Sequence, residues 1–217
     1  MKKLCLFDLD GTLTDSKTGI LNSAEYALKA VGIKTSDYTG SLNNLIGPPI
    51  RDAFRLIYPF ADTEVEEVVR KYREYFTEKG ILENHVYPGI VDMLAKLKSE
   101  GVTMAIATSK ATVYARRIAN HFGFAKYFDV IMGSELDGSR GRKSEVIRAA
   151  LDELGAGGAH KIIMIGDREH DIIGARETGI AGIGVTWGYG TRQELEAAGA
   201  VDIVDSVDEL CRIILRY

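Results

Sequence analysis

The sequence predicts an α/β protein with a doubly wound parallel sheet and an inserted, all-helical cap domain. From residue 85 onward, short apolar runs alternate with helical patterns, whereas residues 17–84 contain helical patterns without a convincing strand. The 217 residues provide enough length for one sizeable core with an insertion. We therefore expect an α/β core from residues 1–16 and 85–217, and a helical cap from residues 17–84.

Each strand is predicted from a short run of apolar residues. Residues 4–7 form the first run, which ends at Asp8 and Gly11 in the manner of a buried strand that opens into a loop. Similar runs cover residues 102–107, 130–132, 162–165, 180–185 and 203–204. Right-handed crossovers through the intervening helices would give a Rossmann-like core of five or six parallel strands.

The helices are predicted from apolar periodicity and from the residues at their ends. Pro88-Gly89 precedes a helix over residues 90–100, and Gly101 and Gly123 follow predicted helices. The other predicted helices are 113–122, 143–154, 172–178, 192–198 and 207–215 in the core, and 19–31, 50–58 and 63–79 in the cap. Because the insertion follows the first strand, at the sheet edge where open α/β sheets bind ligands, we expect it to act as a lid.

Composition and charge narrow the class of partner. A formal net charge of −4 carries no basic excess, which argues against nucleic acid. The first apolar run is broken by Asp8 and Asp10 too early for a signal peptide, and no other run approaches membrane-spanning length. Cys5 and Cys211 have no zinc or redox spacing. We expect a cytoplasmic monomer or homodimer that binds a small molecule, with neither membrane nor nucleic acid as a partner.

Asp8 and Asp10 lie two residues apart at the end of the first predicted strand, and Gly11 follows them. Period-two geometry can aim both carboxylates at the same space, which suits metal binding and acid–base chemistry. An Asp-rich turn would explain the pair equally well. The pair alone leaves both interpretations open.

The longer segment FDLDGTLTDS, residues 7–16, resembles the signature of the haloacid dehalogenase-like hydrolase superfamily. The resemblance implies that Asp8 is a nucleophile and that Asp10 is the general acid/base. Members that dehalogenate are similar here but lack an acid at the second position, so Asp10 favours phosphoryl transfer.

Three further segments resemble superfamily motifs: MAIATSK at 104–110, GRKSE at 141–145 and IIMIGDREHD at 162–171. The resemblance implies that Thr108, with Ser109, binds phosphate and that Lys143 holds the transferring phosphoryl group. It also implies a Mg²⁺ site. The implied ligands are Asp8, Asp167, the backbone carbonyl of Asp10, and Asp171 directly or through water.

Each of these residues also has a plain structural interpretation. Thr108 and Asp167 would both serve as helix N-caps, and a single lysine such as Lys143 is usually solvated. Lys110 and Arg142 compete with Lys143 for the phosphoryl group. His170 has no metal-ligand spacing, so we expect a partly exposed turn residue, and the glycine-rich stretch 182–190 is expected to line the rim of the site.

The predicted cap offers a polar cluster between residues 43 and 51, in which Asn43 and Arg51 are candidate substrate contacts. This segment resembles the cap of phosphoglycolate phosphatases. The resemblance implies a Mg²⁺-dependent phosphatase that hydrolyses a small phosphorylated metabolite, phosphoglycolate or a nucleoside 5'-monophosphate, through an aspartyl-phosphate. The alternatives are a phosphomutase similar to β-phosphoglucomutase and a non-catalytic binding protein on the same fold.

Overall fold

The computed structural model of the protein describes residues 2–34, 37, 41–156 and 160–217, with the side chains of Lys2, Asn43 and His160 outside that description. The chain divides into two compact units. One unit consists of Met1–Thr14 and Val86–Tyr217, and the other of Asp15–His85. Within the described part of the chain, no helix is both long enough and apolar enough to cross a membrane.

Eight strands occur in the described residues: β1 Lys2–Phe7, β2 Thr14–Asp15, β3 His85–Val86, β4 Thr103–Ala111, β5 Val130–Ser134, β6 His160–Gly166, β7 Ala181–Val185 and β8 Asp202–Val204. Six of them form one sheet in the order β5-β4-β1-β6-β7-β8, and the pairs with described registers are all parallel. β2 and β3 form a separate two-stranded sheet, which the sequence did not predict.

β1 lies in the middle of the large sheet. Phe7 pairs with Ile106 of β4 on one side and with Ile165 of β6 on the other. The chain runs outward from β1 to β5, returns to β6 beside β1, and continues outward to β8 on the other side. This reversal of strand order creates the crevice at the carboxyl ends of the strands where such sheets bind ligands.

Five helices lie between strands of the large sheet and a sixth follows the last strand: α4 Ile90–Ser99, α5 Thr112–His121, α6 Lys143–Glu153, α7 Glu169–Glu177, α8 Arg192–Ala198 and α9 Val207–Arg216. Side-chain caps begin two of them, since Thr191 Oγ1 accepts from Glu194 N and Ser206 Oγ from Glu209 N. α7 begins three residues earlier than predicted. The prediction missed these residues because the first turn of the helix is polar and has no apolar periodicity.

Apolar side chains cover both faces of the sheet. Leu4, Leu6, Ala105, Ala107 and Met164 share one buried cluster with Val146, Ile147 and Ala150 of α6 and Ala175 of α7. The alternate strand residues are buried as well: Cys5, Phe7, Met104, Ile106, Ile163 and Ile165. Because the residues on both faces of the strands are buried, the predicted doubly wound α/β class is confirmed.

The second unit contains α1 Lys17–Ala30, a 3₁₀ turn Leu42–Leu45, α2 Ile50–Ile57, α3 Asp62–Tyr75 and a π-helical turn Phe76–Gly80. The predicted single helix over residues 63–79 is therefore wrong at its end. Ile81 N donates to Phe76 O, and the widened turn brings Gly80 against α1. A Cβ on Gly19 or Gly80 would overlap the other segment, so two glycines permit this close approach.

Candidate active site

Asp8 lies immediately after β1, and its backbone N–H donates to Ile165 O at 2.8 Å. Its Oδ1 accepts from Lys143 Nζ at 2.8 Å, and the same ammonium lies 2.7 Å from Asp171 Oδ1 and 3.1 Å from Ala107 O. The Lys143 side chain is only 4% exposed. Lys143 is therefore a buried cation that joins two carboxylates, and its interpretation as a solvated surface residue is wrong.

A third carboxylate, that of Asp167, completes the cluster. One carboxylate oxygen from each of Asp8, Asp167 and Asp171 lies within 4.8 Å of the others, and all three residues are buried. Asp167 Oδ1 accepts from Thr12 Oγ1 at 3.2 Å, and its Oδ2 accepts from the backbone N–H of Tyr189 at 2.8 Å. The carboxylates thus come from the segments that follow two strands, β1 and β6, and Asp167 is fixed by hydrogen bonds.

Burial and mutual repulsion shift the acidities of these groups. Burial raises the pKa of Asp8 to about 6, although Lys143 opposes the shift. Burial, followed by the charges of Asp171 and Asp8, raises the pKa of Asp167 well above its usual range. Burial alone would lower the pKa of Lys143, but Asp171 and Asp8 outweigh it and raise that pKa. The cluster therefore has an excess of negative charge that its own lysine does not balance.

A divalent cation fits this cluster. The donor set consists of hard carboxylate oxygens that lie within 4.8 Å of one another, and oxygens on opposite sides of a Mg²⁺ ion lie about 4 Å apart. Three carboxylates and one ammonium also leave the charge that a divalent cation would offset. The residues present thus suit a metal of this kind, with Asp8, Asp167 and Asp171 as its side-chain ligands.

Glycines make room for the two acidic residues that follow β6. A Cβ on Gly11 would overlap the Asp167 carboxylate, and one on Gly166 would overlap the Asp171 carboxylate. In the loop after β7, a Cβ on Gly188 would overlap Asp167 Cβ and Oδ2, and one on Gly190 would overlap the Asp167 carbonyl. The loop that we expected to line the rim packs directly on Asp167.

Trp187 belongs to the same loop, and its Nε1–H donates to Thr12 O at 3.1 Å. The loop after β7 is thereby tied to the loop after β1. Thr12 and Trp187 were not predicted as residues of the site. Gly188 and Gly190 were noted only as part of the glycine-rich stretch 182–190. The alternation of glycines at 188 and 190 was the available signal, because it leaves two nearby positions of the loop without side chains.

Asp10 lies in the segment after β1, and Thr108 lies in the neighbouring strand β4. Asp10 Oδ2 is 2.8 Å from Lys110 Nζ, so Lys110 pairs with the predicted acid/base. Thr108 is buried, and its Oγ1 accepts from Lys110 N at 3.3 Å. The carbonyl of Ser109 accepts from Ser134 Oγ at 2.8 Å. Thr108 and Ser109 thus lie inside β4, and neither caps α5, which begins at Thr112 after Ala111.

The N-cap interpretation is also wrong for Asp167, since α7 begins at Glu169 and its N-cap is Arg168. The backbone N–H of Arg168 donates instead to Asp171 Oδ2 at 3.1 Å. Arg142 precedes α6 and is exposed, whereas His170 is half-buried. Burial lowers the pKa of His170.

The two candidate contacts of the predicted cap belong to the second unit. Arg51 lies on α2 and forms an ion pair with Glu66 of α3, with its Nη2 at 2.8 Å from Oε2. The side chain of Asn43 lies outside the described part of the chain. A substrate role for either residue stays a prediction.

The arrangement of these strand ends matches a known family over most of the chain. Residues 5–185 match the family model described as haloacid dehalogenase-like hydrolase. The chain belongs to the haloacid dehalogenase-like hydrolases. This membership confirms the predicted resemblance, and members of the family generally use a divalent metal, for which the buried acidic cluster is suited.

Named relatives cover nearly the whole chain. A 5'-nucleotidase of Pseudomonas aeruginosa is 47% identical over 88% of this chain and 86% of its own. The tyrosine-protein kinase PtkA of Mycobacterium tuberculosis is 38% identical over 96% of this chain and 71% of its own. A phosphoglycolate phosphatase of Vibrio parahaemolyticus is 28% identical over 98% of this chain and 96% of its own.

A solved structure agrees with the fold. The crystal structure of a predicted phosphatase from Clostridium acetobutylicum superimposes with a TM-score of 0.93 and 45% identity, and covers all of both chains. Together with the family membership, these similarities confirm the predicted enzyme class, a phosphatase.

Replacing Gly188 by Ala should destabilise the protein by about 1–3 kcal/mol, the usual range for overpacking, because the new methyl group overlaps Asp167. The change should also reduce the rise in melting temperature that we expect from Mg²⁺, since Asp167 must move. Thermal unfolding with and without MgCl₂ measures both effects. Gly182→Ala is the control, because its nearest neighbour is the flexible end of Ile172 at 3.1 Å. Equal effects of the two substitutions would contradict this prediction.

Without a divalent cation, ionisation of Asp8 should cost stability. The pKa of Asp8 in the folded protein, about 6, lies above the ordinary value of 3.8. Protonated Asp8 therefore contributes fully to the free energy of unfolding at low pH, and this contribution is lost as the pH rises through 6. The loss should be on the order of 3 kcal/mol. Mg²⁺ should therefore raise the melting temperature more at pH 7.5 than at pH 4.5, relative to chelator. An equal rise at both pH values would contradict the prediction, and Asp167→Asn should remove the rise.

Proposed function

We propose that the protein is a Mg²⁺-dependent phosphatase that hydrolyses a small phosphomonoester through an aspartyl-phosphate on Asp8. The observation that carries the proposal is the buried contact between Asp8 Oδ1 and Lys143 Nζ at 2.8 Å, beside the carboxylates of Asp167 and Asp171. Lys143 holds the nucleophile and supplies a positive charge for a phosphoryl group that approaches it. A cytoplasmic location and the absence of nucleic-acid and membrane partners stay predictions.

The proposed reaction has two displacements. In the first, a carboxylate oxygen of Asp8 forms a bond to phosphorus, the bond from phosphorus to the leaving oxygen breaks, and Asp10 gives that oxygen its proton. In the second, water attacks the phosphorus of phospho-Asp8 and loses a proton to Asp10. Inorganic phosphate leaves, and Asp8 is a carboxylate again.

Mg²⁺ held by Asp8, Asp167 and Asp171, with the carbonyl of Asp10 as a further proposed ligand, would offset the negative charge of the phosphoryl oxygens. Thr108 follows Ala107, whose carbonyl accepts from Lys143. We assign to Thr108 and Ser109 the binding of a phosphoryl oxygen. Asp171 Oδ1 also lies 2.7 Å from the Lys143 ammonium, so Asp171 orients the lysine as well as the metal.

For the substrate we favour a nucleoside 5'-monophosphate over phosphoglycolate. The relative named 5'-nucleotidase is 47% identical, and the relative named phosphoglycolate phosphatase is 28% identical. We assign residues 17–84 the role of a cap that selects the leaving group, while residues 1–16 and 85–217 carry the chemistry. The same phospho-Asp8 would serve a phosphomutase or a protein acceptor, as the relative named tyrosine-protein kinase suggests.

Asp8→Asn should lower the rate of phosphate release by at least about 10³-fold, because the covalent route is lost. Wild type and variant would be assayed with nucleoside monophosphates, phosphoglycolate and sugar phosphates, with Mg²⁺ and with chelator. Acid quenching with labelled substrate should trap a hydroxylamine-sensitive protein label in wild type alone. Asp92→Asn, an exposed substitution, is the control.

The outcomes separate the candidate functions. Steady phosphate release that needs both Mg²⁺ and Asp8 supports the phosphatase. An isomerised sugar phosphate, or a labelled tyrosine on an added protein, with little free phosphate would move the assignment to a mutase or a protein kinase. A wild-type protein that binds these compounds without turnover would favour the non-catalytic alternative.

Arg51→Met should raise KM for the substrate by about tenfold or more if Arg51 binds it, since hydrogen bonds to charged groups contribute roughly 1.5–3 kcal/mol. Glu66→Gln breaks the same ion pair and leaves the guanidinium in place, so it serves as the matched control. The pair itself is exposed and should contribute at most about 1 kcal/mol to stability. Equal changes in KM for the two variants would assign Arg51 a role in the packing of α2 on α3 alone.

A further inference from the structure

Lys110 is a buried lysine that the proposed reaction does not use. Its side chain is 8% exposed, and its Nζ lies 2.8 Å from Oδ2 of Asp10, whose side chain is 12% exposed. Sequence analysis placed Lys110 among the competitors for the phosphoryl group. The structure pairs it instead with the group that we propose as the general acid/base.

An irregularity in β4 determines the position of Lys110. Ala107 pairs with Met132 and Ala111 with Ser134, so β4 advances four residues while β5 advances two. Such bulges re-aim side chains and are common next to active sites. Two extra residues are therefore accommodated between Ala107 and Ala111, in the segment that carries Thr108, Ser109 and Lys110.

Polar contacts hold this bulge in place. Ser134 Oγ donates to Ser109 O at 2.8 Å, and Lys110 N donates to Thr108 Oγ1 at 3.3 Å. Gly133 of β5 is required as well, because a Cβ there would overlap Lys110 O. The backbone of Lys110 is thereby fixed by neighbouring groups, and its ammonium lies beside Oδ2 of Asp10.

The contact with Lys110 leaves Asp10 with one oxygen engaged and one without a donor. Among the described residues, Oδ1 of Asp10 is buried and receives no hydrogen bond. A buried polar atom of this kind requires an explanation, and a role in binding or catalysis is one. Because a carboxyl group is planar, a cation that fixes Oδ2 also fixes the direction in which Oδ1 can meet a bound group.

We propose that Lys110 is a positioning residue for Asp10. It orients the carboxyl group toward the leaving oxygen and stabilises the carboxylate that remains when the proton is given away. The inference rests on the proposed function. In the step concerned, the bond from phosphorus to the leaving oxygen breaks, that oxygen takes the proton of Asp10, and the new negative charge on Asp10 lies beside the ammonium of Lys110.

Leaving groups that need a proton depend on this arrangement more than those that do not. Phenyl phosphate and p-nitrophenyl phosphate have similar shapes, but the nitrophenolate ion is a much better leaving group. A residue that acts through the acid should therefore affect hydrolysis of phenyl phosphate selectively. A residue that only supports the fold should affect both substrates equally.

The test compares kcat/KM of wild type and Lys110→Met on the two aryl phosphates, because kcat/KM reports the first displacement and not the hydrolysis of phospho-Asp8, which both substrates share. We expect at least about a tenfold loss for phenyl phosphate and less than about threefold for p-nitrophenyl phosphate, since general acid–base catalysis contributes roughly 10²–10⁴-fold. Lys110→Arg, which keeps the charge, should recover most of the loss. Lys126→Met, which removes an exposed lysine, should change neither rate.

A second test of the inference uses Asp10→Asn. If Lys110 acts through Asp10, the double variant Asp10→Asn/Lys110→Met should lose little more than Asp10→Asn alone. An equal loss on both substrates in Lys110→Met, an unchanged rate, or additive losses in the double variant would each overturn the inference. Failure of wild type to hydrolyse either compound would overturn the proposed function itself.

Stability is followed in parallel. The Mg²⁺-induced rise in melting temperature should be the same in Lys110→Met and wild type, because Lys110 pairs with Asp10, whose carboxylate does not belong to the cluster of Asp8, Asp167 and Asp171. Removal of one partner of a buried ion pair can destabilise the fold. If the Met variant does not fold, Lys110→Gln is assayed on the same two substrates. This substitution keeps a hydrogen-bond donor for Asp10 but removes the charge.

Discussion

Three carboxylates share a buried space with one ammonium, and the cost of placing like charges there governs the architecture of the site. Within a low-dielectric interior, each ion loses several kcal/mol of hydration, as an order of magnitude, and each neighbouring carboxylate adds repulsion. Lys143 offsets part of this cost for Asp8 and Asp171, and hydrogen bonds from Thr12 and Tyr189 offset part of it for Asp167. A proton or a cation must supply the remainder.

The parallel sheet makes such a concentration of charge possible. Asp8 and Lys143 are 135 residues apart in sequence, yet both lie where strands of the same sheet end or where the next helix begins. β1 is flanked by β4 and β6. The carbonyl of Ala107 in β4 accepts from the Lys143 ammonium that contacts Asp8, and the acidic residues after β6 complete the cluster. Rigid strands fix the backbone, and the short loops then need glycines to let the acidic groups approach one another.

The sequence predicted the fold class and the convergence of strand ends, because buried strands and helix ends have strong local signals. Asp8, Lys143, Asp167 and Asp171 meet in the structure as their strand-end positions indicated, while their catalytic roles stay predictions. The contacts between Lys110 and Asp10 could not be foreseen. The apolar run stops at Ala107, and no pattern of residues marks a bulge in the sequence. The sequence therefore suggested that the strand ended at Ala107.

Other missed features share a physical cause: they depend on pairs of segments that are distant in sequence. Gly188 matters because it meets Asp167, and the π-helical turn at 76–80 brings Gly80 against α1. Neither residue has a local conformational demand that periodicity reports. The start of α7 was missed for a different, local reason, since its first turn is polar and has no apolar pattern.

The bulge in β4 has a consequence for how relatives of this protein can diverge. A bulge changes the number of residues on one strand without shifting the register of its partner, because the extra residues stay unpaired. Insertion or deletion at residues 108–110 can therefore replace the neighbour of Asp10 while Ala107 and Ala111 keep their places beside β5. Through the role that we propose for Asp10, a change in the length of this segment would alter which leaving groups the site accepts, while the paired residues of β4 and β5 stay in place.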